Sequence, residues 1–137
     1  MKNLILTLLT IFAFSFSFAQ SNLSKEDQSN KEYAELKTNS LVLVKYLSYE
    51  LNLEGSEQKA VLFNAFSKYA SDMQKLNEKI PLKDTARNKE RVSLMQRFIK
   101  ERDKTIIASL NDKQIKAYEK LTKTFDPMTL KVRKDKK

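Results

Sequence analysis

Six apolar residues, Leu62, Phe66, Tyr69, Met73, Leu76 and Ile80, recur at steps of 4, 3, 4, 3 and 4. An α-helix puts all six on one face, and a strand, with its period of two, cannot. Phe63 and Ala70 widen this seam. Such a face must be buried against others like it, so the remainder of the chain has to supply further amphipathic helices. Composition agrees. One glycine and two prolines in 137 residues are too few for an all-β fold with many tight turns.

Three more helices are expected around that seam. A first runs from about Lys31 to Leu51, where Leu36, Leu43, Val44, Leu47 and Leu51 share a face. Its centre, Leu41-Val42-Leu43-Val44, is apolar all round and partly β-branched, so a strand competes there. The helical period continues through Tyr46 to Leu51 and favours helix. The excess apolar surface has to be covered by other helices or by a second subunit. The seam helix spans Glu57 to about Lys79 and stops at Ile80-Pro81-Leu82, since proline disfavours the helical conformation in the residue before it. A third helix runs from Asp84 or Thr85 to Leu110 on Val92, Met95, Ile99, Ile106 and Leu110, with Phe98 beside them. Arg102 and Asp103 interrupt this face, and Arg102 is expected to snorkel past the helix edge. A fourth helix carries Ile115, Tyr118, Leu121 and Phe125 and stops at Asp126-Pro127.

The two ends read differently. Lys2, the apolar run Leu4 to Phe14 and the small-x-small site Ser17-Phe18-Ala19 have the form of a cleaved export signal over residues 1–19. The run falls short of the about 20 apolar residues that a spanning helix needs. Residues 20–31 are polar and are expected to be a disordered leader. Residues 127–137 are expected to be a basic, flexible tail. The helical domain then occupies residues 32–126. Losing the signal removes one cation, Lys2, and leaves 25 basic against 17 acidic residues, a net charge of +8. Such a chain attracts anionic surfaces, although basic residues also serve solubility alone.

Cysteine and histidine are both absent. No disulfide, thiolate metal site or cysteine nucleophile can form, and the commonest catalytic base is missing. Gly55 is the single glycine, so there is no phosphate-cradling loop. Neither Glu26-Asp27 nor Glu101-x-Asp103 has calcium-loop spacing. The chain reads as a binding protein without cofactors rather than an enzyme.

Two joints between helices share a pattern. Leu51-Asn52-Leu53-Glu54-Gly55-Ser56-Glu57-Gln58 and Leu110-Asn111-Asp112-Lys113-Gln114 each pass from a leucine through a polar corner to a glutamine in the next helix's first turn. In the second, Asn111 caps the helix and Gln114 reaches back to the cap, a capping box with Asn in place of Ser or Thr. In the first, either Gly55 or Ser56 is the cap. Helix starting alone explains both glutamines.

With an export signal, a basic all-helical body and these two Leu-Thr-x-x-Gln-like joints, the chain resembles the Spy/CpxP family of periplasmic proteins from about Leu36 to Phe125. The second joint departs only in Asn111 for Thr; in the first, Leu53 and Gln58 are five apart rather than four. The resemblance implies an all-α fold of about four helices in antiparallel hairpins, paired as a cradle-like homodimer. It also implies an exported, periplasmic or secreted, ATP-independent chaperone or envelope-stress accessory for partly unfolded clients. Some members instead restrain an envelope sensor, and a zinc-linked branch needs ligands this chain lacks. Only the joint residues, Leu53, Gln58, Leu110, Asn111 and Gln114, carry over by position.

Contacts to clients have no motif. Phe66, Tyr69, Met73 and Met95 lie on seams and are expected in the core. Phe63 and Phe98 sit at seam edges and are the candidate exposed contacts, with Arg87, Arg91 and Arg102 as candidate cations. Arg87, Arg91 and Lys83 would equally suit an anionic lipid surface. No nucleic-acid signature is present. A regulatory partner of an envelope sensor, or a surface protein for anionic lipid or glycan, is the alternative reading.

Overall fold

The computed structural model describes residues 25–53 and 55–133. The expected signal, the first part of the leader and residues 134–137 of the tail lie outside them. Four helices follow in order: α1 (Lys25–Glu50), α2 (Ser56–Lys79), α3 (Asn88–Ala108) and α4 (Asp112–Leu121). A 3-10 turn, Thr85–Arg87, leads into α3. Among the described residues there is no strand, so the all-α expectation holds. Packing makes α2 the central helix, against both α1 and α3, while α4 reaches back to α1.

The seam does what its period demands. Leu62, Phe66, Tyr69, Met73, Leu76 and Ile80 are all buried, and Leu43, Leu47, Leu51 and Leu53 meet them from the α1 side. Met95 and Ile106 from α3 and Tyr118 from α4 complete the helical part of this core. Burying Phe66 alone makes it worth about 3–5 kcal/mol against truncation to alanine.

Three expectations need correction. Residues 25–31 are helical, because α1 begins at Lys25 rather than near Lys31. Hydrogen bonds from α2 anchor this polar stretch: Gln74 donates to Asn30 and Asn77 to Glu32. Helix elongation from an anchored core is cheap, so polar composition does not end it. Secondly, α4 stops at Leu121, and Phe125 lies beyond it rather than on its face. Thirdly, residues 127–133 are not a flexible tail. Residues 124–133 fold back as a strap closed by an antiparallel bridge between Phe125 and Val132, with Asp126 N–H donating to Lys131 O and Arg133 N–H to Thr124 O. Phe125 and Leu130 are fully buried, and Phe125 meets the Phe66 ring edge-on at 6.4 Å.

Arg102 is also corrected. It does not snorkel; only 4% of it is exposed. Its guanidinium lies 5.2 Å from the centre of the Phe66 ring and 4.7 Å from that of Tyr69. Nε donates to Asp103 Oδ1 at 3.2 Å and Nη1 to Pro127 O at 2.8 Å. Asp103 in turn accepts from the Tyr118 hydroxyl at 2.9 Å. A buried cation is tolerable when rings and acceptors replace its water, and this one has both. Tyr69 donates its hydroxyl to Met128 O at 2.7 Å.

Replacing Arg102 with alanine should cost about 2–4 kcal/mol in urea unfolding, because it leaves Pro127 O unpaired and empties the space against the Phe66 and Tyr69 rings. The phenols give a second expectation. Burial pushes Tyr69 up to about 12 from its ordinary 10.0, and burial, then the Asp103 charge, pushes Tyr118 up as well. A group raised on folding stabilises fully below its unfolded pKa and loses that contribution as pH climbs through its folded one. For Tyr69 the loss belongs between about pH 10 and 12. Urea midpoints measured against pH should fall across that window, and less steeply in Tyr69→Phe.

Candidate functional site

The first joint begins as a helix stop. Asn52 takes φ 53, a left-handed conformation that asparagine tolerates better than most residues. Asn52 N–H donates to Tyr49 O at 3.1 Å and Leu53 N–H to Ser48 O at 3.0 Å. These two bonds make a Schellman motif, which turns Leu53 back into the core, where it is buried. Gly55 is the cap of α2, with extended backbone and no side-chain hydrogen bond. Gln58 is thus the third residue of α2, as expected with Gly55 as cap, but its side chain bonds to the other joint rather than to its own cap.

The second joint works by capping. Asn111 Oδ1 accepts from Gln114 N at 2.8 Å, and Asn111 N donates to Gln114 Oε1 at 3.0 Å. Here the capping box read from sequence is present in full. Leu110 is partly buried against the core.

What links the joints is their glutamines. Gln58 Nε2 donates to Gln114 Oε1 at 2.9 Å and to Ser109 O at 3.0 Å. Gln114 Nε2 lies 3.4 Å from Gln58 Oε1 and 3.5 Å from Leu51 O. Each glutamine thus serves a carbonyl at the end of the helix that enters the other joint. Those carbonyls have no partner within their own helices. The pair ties the C-terminal ends of α1 and α3 together beside a shallow cleft lined by Glu50, Asn52, Lys113 and Ala117. With their amides spent on each other, the glutamines hold the scaffold rather than offer it to a ligand.

The candidate contact residues separate into four groups. Phe63 is exposed (43%). Phe98 is half-buried and packed on the core, and lines a cleft between α2 and α3 with Lys68, Asp72 and Glu101. Arg87 is on the surface but engaged, with Nε and Nη2 each 3.1 Å from a Glu90 oxygen. That pair raises Arg87 and lowers Glu90 from their ordinary pKa values. Arg91 and Arg102 are buried, which removes both from any client-facing surface. Arg91 Nη2 donates to Asn77 Oδ1 at 2.6 Å, a bond within the fold.

Sequence reasoning expected excess apolar surface on the first helix but did not single out the residues that stay exposed. On α1, Val42 is 57% and Tyr49 83% exposed, with Leu41 exposed beside them. Residues 41, 42, 45 and 49 share one side of a helix, so Lys45 stands within this strip. A groove beside it is lined by Val44, Tyr49 and Leu53 with Lys45, Lys59 and one acid, Glu50. Phe63 lies one turn beyond Lys59 on the same side of α2. The all-round apolar run Leu41–Val44 was the available signal: α2 covers Leu43 and leaves Leu41 and Val42 outside.

No family model, curated protein or solved structure matches the chain. Among the described residues, no helix is long and apolar enough to cross a membrane. Nor, among them, does any group of three or more acidic side chains stand ready to hold a metal ion.

The glutamine pair makes a measurable claim. Gln58→Ala and Gln114→Ala should each cost about 1 kcal/mol, Gln114→Ala the more because it also breaks the capping box. In a double-mutant cycle of urea midpoints the two should couple by about 0.5–1.5 kcal/mol, whereas unconnected sites would add.

Proposed function

We propose that this chain is an exported, ATP-independent chaperone or envelope-stress accessory of the Spy/CpxP kind, holding partly unfolded clients loosely on its helical surface. The exposed strip Leu41–Val42–Tyr49 carries the reading. Apolar side chains left in water along one helix mark a binding surface, because burying them against a partner is favourable. Lys45 and Lys59 border the groove beside them. The net positive charge draws acidic, partly unfolded chains from a distance, and the strip then gives short-range hold. Phe63 extends that hold across the groove.

The same strip is where a homodimer would bury its excess apolar surface, and a single envelope sensor would use it in the same way. Neither competes in the measurements below, since each has its own readout. Light scattering at micromolar concentration distinguishes monomer from dimer. A pull-down from envelope extract separates one saturable partner from a broad unfolded set.

Protein lacking residues 1–19 should suppress aggregation of an unrelated, acidic unfolding protein at a few-fold molar excess. Suppression should weaken as salt screens the surface charge. Replacing Leu41 and Val42 together with glutamate should reduce it at least several-fold, while each exposed change moves stability by only about 0.5 kcal/mol. Unimpaired suppression by that variant would remove the strip from the function.

A further inference from the structure

The strap is held in an unusual way. Three successive backbone carbonyls, those of Pro127, Met128 and Thr129, each accept a hydrogen bond from a side chain on a different helix. Arg102 Nη1 of α3 reaches Pro127 O at 2.8 Å, the Tyr69 hydroxyl of α2 reaches Met128 O at 2.7 Å, and Asn39 Nδ2 of α1 reaches Thr129 O at 3.0 Å. The side chains of residues 127–129 are exposed. The next residue, Leu130, is fully buried in the core. The helices therefore read three carbonyls and one apolar side chain, presented by a turn that Asp126 closes: its Oδ1 accepts from Met128 N and Thr129 N, and its carbonyl from Leu130 N.

Two further observations set this apart from ordinary end-packing. Leu130 has φ 62, in the left-handed region that disfavours leucine, so its pocket holds the residue against a backbone preference. One donor, Arg102, also has anchors independent of the strap. Arg102 keeps its ring contacts with Phe66 and Tyr69 and its bond to Asp103. The Arg102 guanidinium is thus oriented by α2 and α3 as well as by the strap. Unfolded polypeptides present free carbonyls that folded proteins have already paired.

We propose that the groove across α1, α2 and α3 is a binding site for a polypeptide turn bearing one leucine-like side chain, and that residues 127–130 are its built-in occupant. A segment of an unfolded client would bind by displacing the strap. The tether gives the strap a high effective concentration, so it holds the site until a competitor of higher local concentration or better fit arrives. This use of the groove rests on the client-binding reading; the groove itself does not.

The test uses the unaltered chain and its Leu130→Asp variant, with a fluorescently labelled peptide of residues 126–133 as probe. The variant should bind the peptide saturably, and the unaltered chain at least tenfold more weakly because its own strap competes. Alanine at peptide positions 128 and 129 should change affinity by less than threefold, and aspartate at 130 should abolish binding. No binding to a variant that keeps its helical circular dichroism overturns the proposal, as does equal binding to both chains. If Leu130→Asp loses its helical signal, hydrogen exchange of the unaltered chain decides. The amides of Leu130 and Arg133, bonded to Asp126 O and Thr124 O, should then exchange through an opening that leaves α2 protected. Exchange only with global unfolding overturns it. Peptide capture without aggregation suppression would keep the groove and remove the client reading, and suppression without capture would do the reverse.

Discussion

A single guanidinium connects most of this molecule. Arg102 sits against Phe66 and Tyr69 of the central seam, pairs with Asp103, and donates to the carbonyl of Pro127. Through Asp103 it is linked to Tyr118 of α4, and through Tyr69 to Met128 of the strap. A charge in that position would be costly if any of these partners were absent. Its burial therefore depends on α2, α4 and the strap arriving together. The same dependence makes the C-terminal segment part of the core rather than an appendage, since Phe125 and Leu130 close the space above the rings.

About two turns further along α3 from Arg102, the tie is between neutral amides. Gln58 and Gln114 bond to each other and to helix-end carbonyls of the exchanged joints. Free helix ends need partners, and water would supply them if the joints were apart. Bringing the joints together lets each complete the other. This gives the repeated pattern a structural meaning, a mutual clasp, beyond the capping that explains the second joint alone. Between the clasp and the buried arginine, α1 keeps an apolar strip in solvent, the feature most in need of a partner.

Several parts of this arrangement were legible beforehand because they are local. The seam of α2, the stop at Ile80-Pro81 and the Asn111–Gln114 capping box each depend on residues within a turn or two. Other parts were hidden for an equally physical reason. The polar start of α1 is helical through bonds from Gln74 and Asn77, more than forty positions away. Arg91 and Arg102 have the look of surface cations until Asn77 or Pro127 is known to face them. Phe125 continues the helical period of α4 in the sequence, yet it is buried with Leu130 by a strap that has no period.

The amino-acid sequence by itself determined that the chain is helical, where α2 and α3 run and where α4 starts, and that α1 carries more apolar surface than one face can bury. Those properties follow from periodicity, proline and capping, which act along the chain. Tertiary structure alone decided which glutamines meet, which arginines leave the solvent, and which part of α1's apolar surface remains exposed. Each of these turns on a partner distant in sequence, and the worth of a buried charge or an amide donor is set by the partner it finds.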